Sequence, residues 1–164
     1  ESREEKKIRE FVIVLDTSYS TSGELVKNFL RETVDILSQS DSFFADSAIR
    51  ILQCDNKVRS DVTVTGKSEF LQFLESFQLV GGGGTDFRPA FAYVNALVER
   101  GAFRNLTGLL YFTDGKGFYP KTRSDYRAAF LFLDDYEDAL VPPWAIRMRI
   151  CPEDLNPAFS AEQK

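Results

Sequence analysis

Hydrophobic and polar positions along the chain follow two rhythms, short apolar runs and helix-spaced stripes. Residues 11–15 (FVIVL) form a continuous, largely β-branched apolar run that stops at Asp16. A run without alternation predicts a strand buried on both faces, as in a parallel sheet with helices on each side. Thr21 and Glu24 then have capping-box spacing. Leu25, Val26, Phe29, Leu30, Val34 and Leu37 recur at helical spacing, which predicts a helix to about Ser38.

Residues 48–52 predict a second strand. Asp55-Asn56 makes a turn, and Val58, Val62 and Val64 fall on one side of a third, half-polar strand. So short a connection requires antiparallel pairing, because a parallel crossover needs about a dozen residues. The half-polar pattern marks an edge. A short helix is predicted over 67–77, followed by Gly81-Gly82-Gly83-Gly84-Thr85-Asp86. The next helix carries Phe87, Phe91, Val94, Leu97 and Val98 on one face. Pro89 sits in its first turn, and Gly101 is its predicted stop. Residues 109–112 form a further buried strand ending at Thr113-Asp114-Gly115. Residues 128–133 read as a fifth strand, with a helix over 124–134 as the alternative. Residues 144–150 read as a sixth, after Pro142-Pro143 and before Pro152. The expected fold is a three-layer α/β Rossmann-like sandwich. Its sheet is mostly parallel and six-stranded, in the order 3-2-1-4-5-6, with strand 3 antiparallel at the edge.

Composition narrows the chemistry. The chain has 164 residues, 43% hydrophobic and 27% charged, which fits one globular domain. At this length about 70% of the unfolded surface is buried without help from disulfides or metals. No apolar run reaches the ~18 residues of a membrane span, and no signal peptide is evident. The cysteines, Cys54 and Cys151, suit a reducing compartment, so a cytoplasmic location is expected. The chain contains no histidine. That excludes a Ser-His-Asp triad, a Cys-His pair and a His-ligated zinc within it. A bound metal would be held mainly by oxygen, which points to Mg²⁺, Mn²⁺ or Ca²⁺. A net charge of −5 argues against nucleic acid as a partner. The charged start without Met, residues 1–10, reads as a piece of a longer protein.

In a doubly wound sheet, ligands bind beyond the carboxyl ends of the strands, where strand order reverses. That place lies between strands one and four, which end at Asp16 and Asp114. Asp16, Ser18 and Ser20 occupy alternate positions and can face one ion in an extended turn. Thr85 adds a hydroxyl from a loop whose glycines permit close approach. Hydroxyl ligands are neutral, so a cation held this way keeps an unmet positive charge. It would attract a carboxylate from another molecule.

Asp16-x-Ser18-x-Ser20, Gly84-Thr85-Asp86 and Thr113-Asp114-Gly115, in this order, resemble the metal-ion-dependent adhesion site (MIDAS) of von Willebrand factor A (VWA) domains. The resemblance covers residues 9–151. It leaves 1–8 as a charged extension and 152–164 as a tail. By this resemblance Ser18, Ser20 and Thr85 are metal ligands, and Asp16 and Asp114 bind directly or through water. Asp86 departs from the commonest pattern and is a further candidate ligand or a helix cap. Tyr19 stands where many relatives have a small residue. Residues 117–127, with Pro120, leave little room for the helix many VWA domains place there. The strings at 81–91 and 141–146 resemble the VWA-like domain at the C-terminus of bacterial predicted metallopeptidases. That implies a non-enzymatic module that binds a protein's Asp or Glu, an upstream metallopeptidase-like domain, and cooperation with a MoxR-type AAA+ ATPase.

Two other readings compete. A haloacid-dehalogenase-type phosphohydrolase would use Asp16 as nucleophile, Thr113 on phosphate and Asp134-Asp135 on Mg²⁺. Ser18 then stands where its general acid belongs, and residues 81–85 go unexplained. A VWA domain that has lost its metal and only positions a neighbouring domain is the third. A Walker reading of Gly66-Lys67-Ser68 fails, because Asp61 occupies the first glycine's place.

Overall fold

Because FVIVL is apolar throughout, it can only sit where both faces are covered, and it forms the middle of the central strand. The computed structural model describes residues 9–17, 23–37, 47–78, 80, 83–113, 115–133 and 141–150. In chain order these contain β1 (Arg9–Asp16), α1 (Gly23–Leu37), β2 (Ser47–Cys54), β3 (Val58–Thr65), α2 (Gly66–Glu75), α3 (Arg88–Glu99), β4 (Leu106–Thr113), β5 (Arg127–Leu133) and β6 (Ile146–Ile150). The strand order is β3-β2-β1-β4-β5-β6. Every neighbouring pair is parallel except β2 and β3, so the expected topology is the observed one. Among the described residues no helix is long and apolar enough to cross a membrane.

Alternation along the strands sorts the core into two layers. Ile13, Leu15, Ile49, Ile51, Phe112 and Leu131 pack against Val26, Phe29, Leu30 and Val34 of α1 and Phe70 and Leu74 of α2. Val12, Val14, Leu52, Tyr111, Phe130 and Phe132 face Ala90, Phe91 and Val94 of α3. Aromatic rings dominate the second layer. Phe130 lies 5.4 Å from Tyr111, 5.0 Å from Tyr119 and 5.6 Å from Phe87, centroid to centroid. Residues 127–133 are strand, not helix, because both of their faces are buried.

Local chemistry explains most boundaries. Gly101 has φ +76°, a conformation that favours glycine. There the Ala102 N–H donates to Leu97 O and the Gly101 N–H to Val98 O, the paired bonds of a Schellman stop. On β2 and β3, Asp61 accepts Arg50 Nε at 2.9 Å and Nη2 at 2.8 Å, and it also accepts the hydroxyl of Tyr93 on α3. This clamp ties the hairpin to the helix layer. Thr21, and the side chains of Leu25 and Leu37, lie outside what is described.

Three expectations are adjusted. The α2 helix ends at Glu75 rather than 77; the Phe77 N–H turns back to Leu74 O. The sixth strand starts at Ile146, because residues 142–145 form a turn closed by the Ala145 N–H on Pro142 O. Val98, expected on the buried face, is 39% exposed and lines a surface cleft with Tyr126 in the last turn of α3. Among the described residues, 115–126 contain no helix, as Pro120 and the short spacing require.

Phe130→Ala should lower stability by about 3–5 kcal/mol, because it empties the centre of the ring cluster. Urea unfolding followed by far-ultraviolet circular dichroism measures the loss.

Candidate functional site

Register brings the polar ends of three strands to one edge. Asp16 pairs with Cys54, and Leu15 pairs with Phe112, which puts Thr113 beside Asp16. Asp16 follows Val14 on the α3 side of the sheet, as Cys54 follows Leu52 and Thr113 follows Tyr111. Asp16 is fully buried, and its Oδ2 accepts the Thr113 hydroxyl at 2.5 Å. Thr113 Oγ1 in turn accepts the Gly115 N–H at 3.1 Å. A neutral hydroxyl thus holds one oxygen of a buried acid and the turn after β4.

Thr17, also fully buried, donates its N–H to Cys54 O at 3.0 Å, while its Oγ1 has no hydrogen-bond partner among the described residues. Such a hydroxyl beside a buried carboxylate marks a place that water or an ion completes. Its donors are hard oxygens, which fits Mg²⁺ or a similar cation. No group of three or more His, Cys, Asp or Glu able to hold a metal occurs among the described residues.

Thr85 comes from the loop that enters α3. Its methyl faces the backbone of Gly117: a Cβ on Gly117 would stand 2.7 Å from Thr85 Cγ2 and 3.0 Å from the Phe87 ring. Only glycine lets the two loops approach this closely. The Phe87 N–H donates to Phe118 O at 2.9 Å, and Asp86 and Phe118 form a parallel bridge. Tyr119 packs its ring 4.6 Å from that of Phe87 and donates its hydroxyl to Gly115 O. The turn after β4 and the start of α3 therefore form one wall.

Asp86 is fully engaged at that wall. Its Oδ1 accepts the Arg88 N–H at 3.0 Å and Nε at 2.9 Å, and its Oδ2 accepts Nη2 at 2.8 Å. These bonds to Arg88 hold its carboxyl below the usual range. Asp86 thus braces the entry to α3, whose N-cap position is Phe87 and has no side-chain cap bond. Arg88 also lies 5.2 Å from the centroid of the exposed Phe118 ring.

The sequence reading missed Asp55, taken there as a turn residue. It is fully buried. Its Oδ1 accepts Arg59 Nε at 2.8 Å and the Lys57 N–H at 3.2 Å, and its Oδ2 accepts the Gly83 N–H at 3.0 Å. Burial pushes this carboxyl up, but Arg59 and the two amides overcome it and hold it at about 2. A signal existed: an acid one residue beyond a buried parallel strand must share the edge occupied by Asp16. Nearby, burial pushes the Cys54 thiol up to about 11, and the charges of Asp55, Asp16 and Asp86 add to the effect.

Ser18, Ser20 and Asp114 lie outside the described residues, as do Tyr19, Asp134 and Asp135. Asp16 ends β1, and Thr85 lies on the loop before α3, between two amides bonded to Asp55 just past the end of β2. Asp16, the nucleophile of the phosphohydrolase reading, is buried and bonded to the threonine assigned to phosphate in that reading.

The model of the VWA-like domain (DUF2201) family matches residues 11–150. No curated protein matches the chain. Proximal thread matrix protein 1 from the mussel byssus is similar in structure, with a TM-score of 0.69 at 11% identity, over 95% of this chain and 46% of that one. A structure of the same protein with a zinc occupied MIDAS motif gives 0.65 at 13% identity, over 97% and 48%. The chain spans about half the length of these neighbours, and likeness at such identity concerns the fold.

The Cys54 thiol gives a pH prediction. It titrates near 9.0 when unfolded and near about 11 when folded. Between those values the unfolded chain has lost a proton that the folded chain keeps, so stability falls as pH rises. The stability difference between wild type and Cys54→Ala should shrink by roughly 2 kcal/mol from about pH 8 to about pH 10.5. Urea unfolding at the two pH values checks it.

Proposed function

Because the chain belongs to the VWA-like domain (DUF2201) family, we propose that it is a divalent-metal-dependent protein-binding module, with no catalysis of its own. Ser18, Ser20 and Thr85 hold the ion, and Asp16 and Asp114 bind it directly or through water. When bound, Mg²⁺ (or Mn²⁺ or Ca²⁺) supplies a hard positive charge that neutral hydroxyls leave partly unmet, and a partner's Asp or Glu completes it. The supporting observation is the fully buried Asp16, held by the Thr113 hydroxyl at the strand edge where the buried Thr17 hydroxyl has no partner among the described residues.

Each residue has a separate task. Thr113 orients Asp16. Gly117 sets the direction of Thr85 by leaving room for its methyl. Asp86 braces the start of α3 through Arg88 and stays out of the coordination. The zinc occupied MIDAS motif of the mussel protein supports a divalent ion at such a motif. The choice of Mg²⁺ rests on the oxygen donors.

The module spans residues 9–151, with 1–8 as an extension and 152–164 as a tail. The strings at 81–91 and 141–146 favour the subgroup that follows a metallopeptidase-like domain in bacterial proteins. That context supplies a cytoplasmic setting and a MoxR-type AAA+ ATPase as a partner.

Calorimetric titration with Mg²⁺ and Mn²⁺ tests the reading. Wild type should bind one ion, and Asp16→Ala combined with Ser18→Ala should abolish binding; unchanged affinity ends the idea. Gly117→Ala should weaken binding by about tenfold, because its Cβ displaces Thr85 together with the Phe87 ring, as supporting-residue changes at metal sites do. Wild-type affinity in that variant would separate Thr85 from the site.

A further inference from the structure

A chain of glycines has no side chains with which to pack, and ordering it costs more backbone entropy than ordering any other residue type. The loop that carries Thr85 must therefore be held from outside, and the end of β2 does so. Gln53 is buried; its Oε1 accepts the Val80 N–H at 2.8 Å, and its Nε2 donates to Gln78 O at 3.3 Å. Two residues on, the Asp55 carboxylate accepts the Gly83 N–H at 3.0 Å, and the Asp55 carbonyl accepts the Asp86 N–H at 3.1 Å. Thr85 lies between those two amides. One residue thus ties down both flanks of Thr85, with its side chain on one and its main chain on the other. The fit is close, since a Cβ on Gly83 would stand 3.0 Å from Asp55 Oδ2.

We infer that Asp55 is a positioning residue for the metal site: it fixes where Thr85 presents its hydroxyl, although it belongs to none of the three motif segments. The inference rests on the proposed metal reading. Asp55 touches no ion. It acts through the loop, and Arg59 holds the far side of its carboxylate.

The test is a double-mutant cycle on the full chain, with Mn²⁺ as the probe. Asp55→Ala should weaken Mn²⁺ binding by about tenfold or more. In a Thr85→Ala background the same change should cost almost nothing, because Asp55 works through Thr85. Amide exchange of Gly83 and Asp86 in the metal-free protein should accelerate in Asp55→Ala, while that of Ile13 in β1 stays slow. Should Asp55→Ala fail to fold, Gly83→Ala pushes the loop off the carboxylate while leaving the Asp55–Arg59 pair in place, and it should show the same coupling to Thr85→Ala. Undiminished Mn²⁺ affinity, or a loss fully additive with Thr85→Ala, overturns the inference. A wild type that binds no Mn²⁺ overturns the metal reading itself, which is a distinguishable result.

Discussion

The carboxylate of Asp16 has to be satisfied where it stands. β1 is covered on both faces, so its last residue cannot swing out to water, and it is fully buried. A buried carboxylate is costly unless donors or cations meet it. Thr113 meets one oxygen from the neighbouring strand. Much of the crevice follows from this need. The turn after β4 is held by the same hydroxyl. That turn leans on Phe87 and Thr85. Thr85 in turn is flanked by amides fastened to β2.

The partners of three acids at this edge include arginine and hydroxyl groups. Asp55 and Asp86 each take an arginine, Arg59 and Arg88. Asp16 takes a neutral hydroxyl. That hydroxyl comes from β4, so Asp16 joins two neighbouring strands at the edge. Asp55 and Asp86 are the frame.

Much of this was legible in the residues. FVIVL could only be a central strand. A two-residue turn at Asp55-Asn56 forced β3 to be antiparallel, and Pro120 ruled out a helix before β5. What stayed hidden depends on distant partners. Asp55 is locally indistinguishable from any turn aspartate, and its role exists only because Gly83 arrives 28 positions later. The glycine run drew attention as the reason Thr85 can approach, yet the missing Cβ that makes room for Thr85 is that of Gly117, on another loop. Val98 matched the helical stripe, but burial at a helix end depends on the neighbouring loop rather than on periodicity.

The crevice is also a product of remote pairing. Thr113 and Asp16 are 97 positions apart, and at the opposite end of the same strands Glu10 accepts the N–H groups of Arg104 and Asn105. During synthesis β1 emerges long before β4, so one flank of the most apolar strand stays open until the later half of the chain arrives. Such high contact order slows folding and leaves an interval open to aggregation. It also means that a half-made chain has no crevice: the Asp16–Thr113 contact that closes this edge forms only after β4 is made.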